Sequence, residues 1–153
     1  MNKKIILSSG GTGGHVIPSV ILGNYLIEKG YDCILILDRR GKKYSNSFKG
    51  KIYIIKSAHL SGNFFYKIKS LISLLIGFIQ SIFIILKFKS TIFISFGGYP
   101  TAMPLLVVIF LKNFYKIKIY IHEQNSIIGK VNSFLLPYIK NLFTNFILTQ
   151  NIN

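Results

Sequence analysis

The chain has 153 residues, of which 50% are hydrophobic and 15% are charged, and this length fits a single domain. Its single cysteine excludes a disulfide-stabilised scaffold, and the sequence contains no internal repeat or low-complexity stretch. Nineteen Lys and Arg against four acidic residues give a formal charge of +15, which predicts attraction to an anionic partner, either acidic lipid or nucleic acid.

Strand and helix patterns alternate along the chain. The first strand, Lys4–Ser8, precedes a helix at Ile17–Lys29, with Pro18 in its first turn and Gly30 just beyond its end. Apolar strands between helices are typical of a Rossmann-like α/β fold, in which helices cover both faces of a parallel sheet. The later elements, in chain order, are strands at Asp32–Leu37 and Lys51–Ile55, a helix at Tyr66–Lys89, a strand at Thr91–Ser95, a helix at Met103–Lys112, a strand at Lys118–Ile121, a helix at Ser126–Leu136 and a strand at Asn141–Asn145.

A glycine-rich loop, Ser8–His15, connects the first strand to the first helix and reads SSGGTGGH. Glycines allow positive φ and let a ligand approach the backbone, and the helix that follows directs unpaired N–H groups at an anion. His15 can move a proton near neutral pH. The loop is not a dinucleotide fingerprint, because Val16 stands where the third glycine would be, and no Gly-Lys-Ser/Thr of a P-loop follows. Taken alone, it can also be a tight strand–helix connection.

Two further polar loops also follow predicted strands. Phe96–Pro100 reads FGGYP and follows the fourth strand, and His122–Asn125 reads HEQN and follows the fifth. The carboxyl ends of parallel strands meet at one edge of a sheet, where ligands of this fold class bind. We therefore expect the three loops to converge on one site.

The remaining reactive residues limit the chemistry. Cys33 lies in an apolar stretch, which favours a buried hydrophobe over a nucleophile. Of the four carboxylates only Glu123 lies in a polar loop, and the chain has neither an Asp-x-Asp pair nor a Cys/His cluster. We therefore predict no metal site and no cofactor. Too few apolar residues follow Lys3 and Lys4 for a signal peptide, so we expect an intracellular chain.

The stretch Leu71–Leu86 carries no charge and is flanked by lysines on both sides. Its 16 residues fall short of the ~20 that span a bilayer. Three alternatives stay open: a core helix, an interfacial helix on acidic lipid, or a transmembrane span. In a helix, four small residues would share one face and leave a broad apolar arc: Ser70, Ser73, Gly77 and Ser81.

The three loops, in this order and spacing, resemble the N-terminal half of the bacterial MurG family of glycosyltransferases, from Lys3 to about Phe146. That family has a two-domain GT-B architecture. It transfers N-acetylglucosamine from UDP-GlcNAc to the C4 hydroxyl of N-acetylmuramic acid in lipid I, with inversion and without a metal, to give the peptidoglycan precursor lipid II. The resemblance implies an acceptor-binding domain at 1–146, the start of an interdomain connection at 147–153, and a donor domain that this sequence lacks.

The same resemblance implies the roles of individual residues. His15 matches the general base, and Glu123 is the second catalytic candidate; which of the two is the base stays open. His122 is either structural or functional. Contacts to UDP-GlcNAc are implied for Thr12, Gly13, Gly14 and Asn125, and loops facing the acceptor diphosphate are implied at Gly10, Gly11, Gly97, Gly98 and Tyr99.

Partners and location also follow from the resemblance. The family attaches to the cytoplasmic face of the inner membrane through an apolar and basic patch, which favours peripheral attachment over spanning. We expect transferase activity to need a donor domain, supplied by a separate chain if the enzyme is split. The alternative is a non-catalytic, truncated remnant that binds the membrane. The charge also permits nucleic-acid binding, but no basic–aromatic recognition motif is present, so we predict no nucleic-acid partner.

Overall fold

The computed structural model describes residues 3–139 and 141–147, and within them a six-stranded sheet carries helices on both faces. The strands are β1 (Lys4–Ser8), β2 (Asp32–Asp38), β3 (Lys51–Ile55), β4 (Ile92–Ser95), β5 (Lys118–Glu123) and β6 (Asn141–Thr144). The α-helices are α1 (Gly13–Glu28), α2 (Phe64–Phe88), α3 (Ala102–Tyr115) and α4 (Lys130–Leu135), and short 3-10 turns lie at Gly41–Tyr44, Tyr99–Thr101 and Leu136–Tyr138.

The strand order is β3-β2-β1-β4-β5-β6, and all neighbouring strands run parallel. The predicted Rossmann-like parallel sheet is therefore confirmed. The direction of strand addition reverses between β1 and β4, and a crevice opens at the carboxyl ends beside such a reversal. Ser8, Ser95 and Ile121 lie in register across β1, β4 and β5, so the three predicted loops begin at nearly the same level.

Side chains that alternate along the strands build two apolar layers. Ile5 and Leu7 of β1 pack with α1 on one face, whereas Ile6 packs with α2 and α3 on the other. Burial on both faces explains why these strands read as unbroken apolar runs. Cys33 belongs to the α1 layer, where burial raises the pKa of its thiol to about 11, which confirms the expected role of a small hydrophobe.

Several element boundaries differ from the sequence predictions. Helix α1 begins at Gly13 rather than Ile17. Thr12 is its extended N-cap residue, and the backbone carbonyl oxygen of Thr12 accepts hydrogen bonds from the N–H groups of His15 and Val16. Helix α2 begins at Phe64, where the Asn63 side chain accepts from the N–H of Tyr66. The predicted helix at Ser126–Leu136 shortens to Lys130–Leu135, because the preceding residues are held in a loop by Glu123. The predicted interdomain connection at 147–153 lies outside the described residues except for Ile147.

Helix α2 packs against the domain through its second half and exposes most large side chains of its first half. Gly77, Ser81 and Ile85 are buried, and an added Cβ at Gly77 would lie 2.0 Å from the carbonyl oxygen of Lys56. Within the described residues, α2 alone is long and apolar enough to cross a membrane, yet only 22% of its most apolar window is buried. It is therefore not a covered core helix. Because it connects β3 and β4 of one sheet, its second half lies along that sheet rather than leaving the domain.

The first half of α2 extends past the sheet. Lys56 directly follows β3, so Gly77 lies level with the carboxyl edge of the sheet. The thirteen residues 64–76 precede Gly77, form a helical segment about 20 Å long at 1.5 Å per residue, and lead past that edge. We call residues 64–76 the α2 projection. It lies on the side of the sheet where the three loops emerge.

We expect Gly77→Ala to destabilise the domain, although alanine has a helix propensity about 1 kcal/mol more favourable than that of glycine. The new methyl group would overlap the Lys56 carbonyl, and overpacking of this kind costs about 1–3 kcal/mol. Urea unfolding followed by circular dichroism measures the change in free energy. Ser73→Ala, one turn earlier on α2, is the matched control. It should change the free energy of unfolding by less than about 0.5 kcal/mol. Equal stability of the two variants would contradict this packing.

Candidate active site at the carboxyl edge of the sheet

A cavity of about 300 Å³ opens where the strand order reverses, and all three predicted loops line it. This volume lies at the lower end of the range for small-molecule binding sites. The predicted site residues on its wall are Gly10, Gly11, Thr12, His15, Gly98, Tyr99, Glu123 and Asn125. Three others are not among the residues that line it: Gly13 lies beside Tyr44, Gly14 is exposed at the start of α1, and Gly97 lies beside the side chain of Asn132.

The first two loops meet backbone to backbone. An added Cβ at Gly98 would lie 2.7 Å from the carbonyl oxygen of Gly10, and one at Gly10 would lie 2.6 Å from Pro100. Gly98 also has a φ of 85°, which a residue with a side chain rarely adopts. Glycine is therefore required at both positions for the loops to close the floor of the cavity.

Asp38 ties the glycine-rich loop to the end of β2. Its Oδ1 accepts from the N–H groups of Gly11 at 2.9 Å and Gly41 at 3.0 Å, and its Oδ2 pairs with Nε of Arg40 at 2.8 Å. Burial acts to raise the pKa of the Asp38 carboxyl group, but hydrogen bonds from Arg40, Gly11 and Gly41 outweigh burial and lower it. Asp38 is therefore ionised and holds the backbone of Gly11 and Gly41 in place. Arg40 lines the cavity beside Gly11.

Glu123 organises the third loop from inside the protein. It is fully buried, and its Oε1 accepts from the backbone and side-chain N–H groups of Asn125 at 3.1 and 2.9 Å. Its Oε2 accepts from the N–H of Gly129 at 2.9 Å and Nδ2 of Asn132 at 2.8 Å. Burial acts to raise the pKa of this carboxyl group, yet these four hydrogen bonds lower it below its ordinary value. Glu123 is therefore a charged acceptor that shapes the loop.

A chain of hydrogen bonds links His15 to His122 through Gln124. Nδ1 of His15 lies 2.7 Å from Oε1 of Gln124, and Nε2 of Gln124 lies 2.7 Å from Nδ1 of His122. Burial lowers the pKa of His122, although a hydrogen bond with Asn145 and the charge of Glu123 oppose it. His122 is partly buried against the Phe96 ring and does not line the cavity, whereas His15 lines it.

Sequence reasoning missed several residues at this site. His59 has no motif around it, yet its ring lies 3.7 Å from the ring of Tyr99 between centroids, and both line the cavity. Asp38 and Arg40 carried one available signal, a carboxylate that ends the strand adjacent to the glycine-rich loop. Gln124 lay inside a recognised motif without an assigned role. Asn132 had no signal, because only the folded loop brings it to Glu123.

The site can bind an anion and move a proton. Backbone N–H groups at the start of α1 and the guanidinium group of Arg40 provide positive charge beside the glycine-rich loop. His15 lies at the same wall and is the group suited to accept a proton near neutral pH. Within the residues that the structure describes, no three His, Cys, Asp or Glu side chains lie close enough to hold a metal ion.

The sequence profile of the glycosyltransferase family 28 N-terminal domain matches residues 5–144 of this chain. The chain belongs to this family. The match confirms the family resemblance that the three loops indicate, and the fold is that of the N-terminal Rossmann-like domain of GT-B glycosyltransferases.

Two relatives and one solved structure show how far the similarity reaches. The relatives, from Rickettsia typhi and Rickettsia prowazekii, are 42% and 43% identical over 98% of this chain. Both are named UDP-N-acetylglucosamine–N-acetylmuramyl-(pentapeptide) pyrophosphoryl-undecaprenol N-acetylglucosamine transferase. MurG of Acinetobacter baumannii, at 23% identity, superimposes with a TM-score of 0.81 over 97% of this chain, which shows a shared fold. The chain spans 37% of the length of each of these two relatives and 43% of that structure.

We expect Glu123→Gln to lower the free energy of unfolding near pH 7 by about 2–4 kcal/mol, because an amide cannot accept all four hydrogen bonds. The folded-state pKa of Glu123 lies below its ordinary value of 4.5. The stability it contributes is therefore present above pH 4.5 and lost as the pH falls through the folded-state pKa. Urea unfolding across this pH range should show that the difference in free energy of unfolding between the wild type and Glu123→Gln becomes smaller as the pH falls.

Glu28→Gln is the matched control for this measurement. Its carboxylate is exposed and paired with Lys49 at 2.7 Å on the surface, where water and salt screen the charge. Its pH profile of stability should follow that of the wild type closely. A Glu123→Gln profile that also follows the wild type would contradict the role of the buried carboxylate.

Proposed function

We propose that this chain is the acceptor-binding half of an N-acetylglucosaminyltransferase. It would transfer N-acetylglucosamine from UDP-GlcNAc to the C4 hydroxyl of N-acetylmuramic acid in lipid I, with inversion and without a metal. The observation that supports this most is the convergence of three loops on one cavity in a chain of glycosyltransferase family 28. Relatives at 42% identity carry the name of such a transferase, but the chain spans 37% of their length. We therefore infer that a donor domain must complete the site.

His15 is the proposed general base, rather than Glu123. A base must accept a proton from the acceptor hydroxyl, and His15 lines the cavity with a ring suited to that transfer. Both oxygens of Glu123 are occupied by donors, and its lowered pKa makes it a weak proton acceptor. Glu123 acts instead by holding the loop that carries Asn125.

The glycine-rich loops are proposed to bind the phosphate groups. Lipid I carries its sugar on a diphosphate, which suits the unpaired N–H groups at the start of α1 and the nearby Arg40. The acceptor diphosphate would lie against Gly10, Gly11, Gly97, Gly98 and Tyr99, and the donor UDP-GlcNAc would reach Thr12, Gly13, Gly14 and Asn125.

We also propose peripheral attachment to the cytoplasmic face of the inner membrane through the α2 projection. Phe65 is 80% exposed and Leu71 63% exposed, and Lys67 and Lys69 lie between them. An apolar surface with interspersed lysines fits an anionic lipid interface. The projection extends on the same side of the sheet as the cavity, so it would bring the site to the surface from which a lipid-linked acceptor emerges. The same surface also supports the alternative of a non-catalytic membrane-binding remnant.

Transfer of labelled N-acetylglucosamine to a lipid I analogue tests the enzyme. We expect the chain alone to be inactive and activity to appear when a family 28 donor domain is added as a separate chain. His15→Ala should then lower the rate by about 10²–10⁴-fold, the usual contribution of a general base. Ile21→Ala, on the exposed side of α1, is the control and should retain the full rate. If a folded, membrane-binding chain shows no transfer even with the donor domain present, the result favours the alternative of a non-catalytic membrane-binding remnant.

Sedimentation with phosphatidylglycerol vesicles tests the membrane surface. Replacing both Phe65 and Leu71 by serine should weaken binding by about tenfold or more, because two exposed apolar side chains no longer enter the lipid. Raising the salt concentration should weaken the remaining, electrostatic part of the attraction. Ile21→Ser, 64% exposed on the opposite face of the sheet, should bind like the wild type. An equal loss of vesicle binding in the double variant and in Ile21→Ser would contradict the proposal that the α2 projection is the membrane-binding surface.

A further inference from the structure

The amide of Gln124 has one possible orientation in this site. Its nitrogen lies 3.0 Å from the backbone carbonyl oxygen of His122, and a carbonyl oxygen only accepts hydrogen bonds. The atom facing that carbonyl must therefore be the NH₂ group. The amide oxygen consequently faces His15, at 2.7 Å from Nδ1.

This orientation determines where two histidine rings carry their protons. The amide oxygen of Gln124 only accepts, so Nδ1 of His15 must donate, and a neutral His15 ring is then unprotonated at Nε2. On the other side, the second N–H of Gln124 donates to Nδ1 of His122 at 2.7 Å, so that nitrogen is unprotonated and the ring carries its proton on Nε2. One amide thus holds its two neighbours in opposite tautomers.

We infer that Gln124 is a positioning residue that selects the Nδ1–H tautomer of His15, leaving Nε2 as the proton-accepting atom. A neutral histidine in water carries its proton mainly on Nε2, so without this partner the atom required for proton transfer is largely occupied. Cδ2 of His15, which is bonded to Nε2, lies 3.4 Å from the position of a Cβ added at Gly98, so this edge of the ring lies at the glycine loops. The inference rests on the proposed role of His15 as the base.

The tautomers can be measured without substrate or donor domain. In the chain labelled with ¹⁵N in its histidine rings, well above the ordinary histidine pKa of about 6.5, long-range ¹H–¹⁵N spectra distinguish protonated from unprotonated ring nitrogens. We expect His15 protonated at Nδ1 and His122 at Nε2; His15→Ala and His59→Gln assign the signals. Wild-type His15 protonated mainly at Nε2 would overturn the inference.

Two substitutions of similar length separate the functions of the amide. Gln124→Glu keeps an oxygen acceptor and should leave His15 protonated at Nδ1. Gln124→Met removes the acceptor and should shift His15 towards Nε2–H, while the His59 signals stay unchanged in both variants. An unchanged His15 tautomer in a folded Gln124→Met chain would overturn the inference. If that variant fails to fold, the His15 tautomers measured in the wild type and in Gln124→Glu test the inference.

Activity distinguishes this inference from the proposed function. With a donor domain present, Gln124→Met should lower kcat by about tenfold or more, within the range of a lost general base, and leave KM for UDP-GlcNAc unchanged. Full transfer by His15→Ala would overturn the base role of His15. The tautomer pattern does not depend on that result, because it is read without catalysis.

Discussion

The close approach of two glycines, Gly10 and Gly98, is the contact on which the site depends. A Cβ at Gly98 would lie 2.7 Å from the Gly10 carbonyl oxygen, so the loops after β1 and β4 meet only because neither has a side chain there. This contact lies at the reversal of strand order, where ligands of this fold class bind. It forms the floor of the cavity and brings the start of α1 to the third loop, so that His15 can reach Gln124.

Buried carboxylates hold the polar loops in place. The chain has four acidic residues, and two of them, Asp38 and Glu123, are buried acceptors for backbone N–H groups of the loops. Each is charged, and each has its oxygens occupied, so the loops are ordered by ionic hydrogen bonds. With nineteen Lys and Arg against four acidic residues, the chain keeps a formal charge of +15, which attracts anionic surfaces.

The long apolar helix shows how composition can mislead. A stretch as apolar as Leu71–Leu86 suggests either a core or a membrane span, since both environments exclude water. In the fold, the helix contacts the domain through Gly77, Ser81 and Ile85, and the backbone of Lys56 allows nothing larger than glycine at position 77. The large side chains of its first half, such as Phe65 and Leu71, are exposed. Gly77 and Ser81 thus belong to the packing face, and much of the apolar arc is exposed. The interfacial position proposed for this helix is compatible with both facts, because one face would contact protein and the other lipid.

The sequence by itself determined the parallel sheet, the order of its elements and the convergence of the three loops, because strand periodicity and the direction of parallel strands leave little freedom. It also determined family membership, through motifs whose glycines are needed where backbones touch. Only the tertiary structure decided what Glu123 does, because Gly129 donates to its carboxylate from a loop that the pattern predicted as helix, and the fold brings Asn132 of α4 to the same carboxylate. Likewise His59, Arg40 and Gln124 join the site through contacts between segments distant in the chain, and such contacts leave no local periodicity in the sequence.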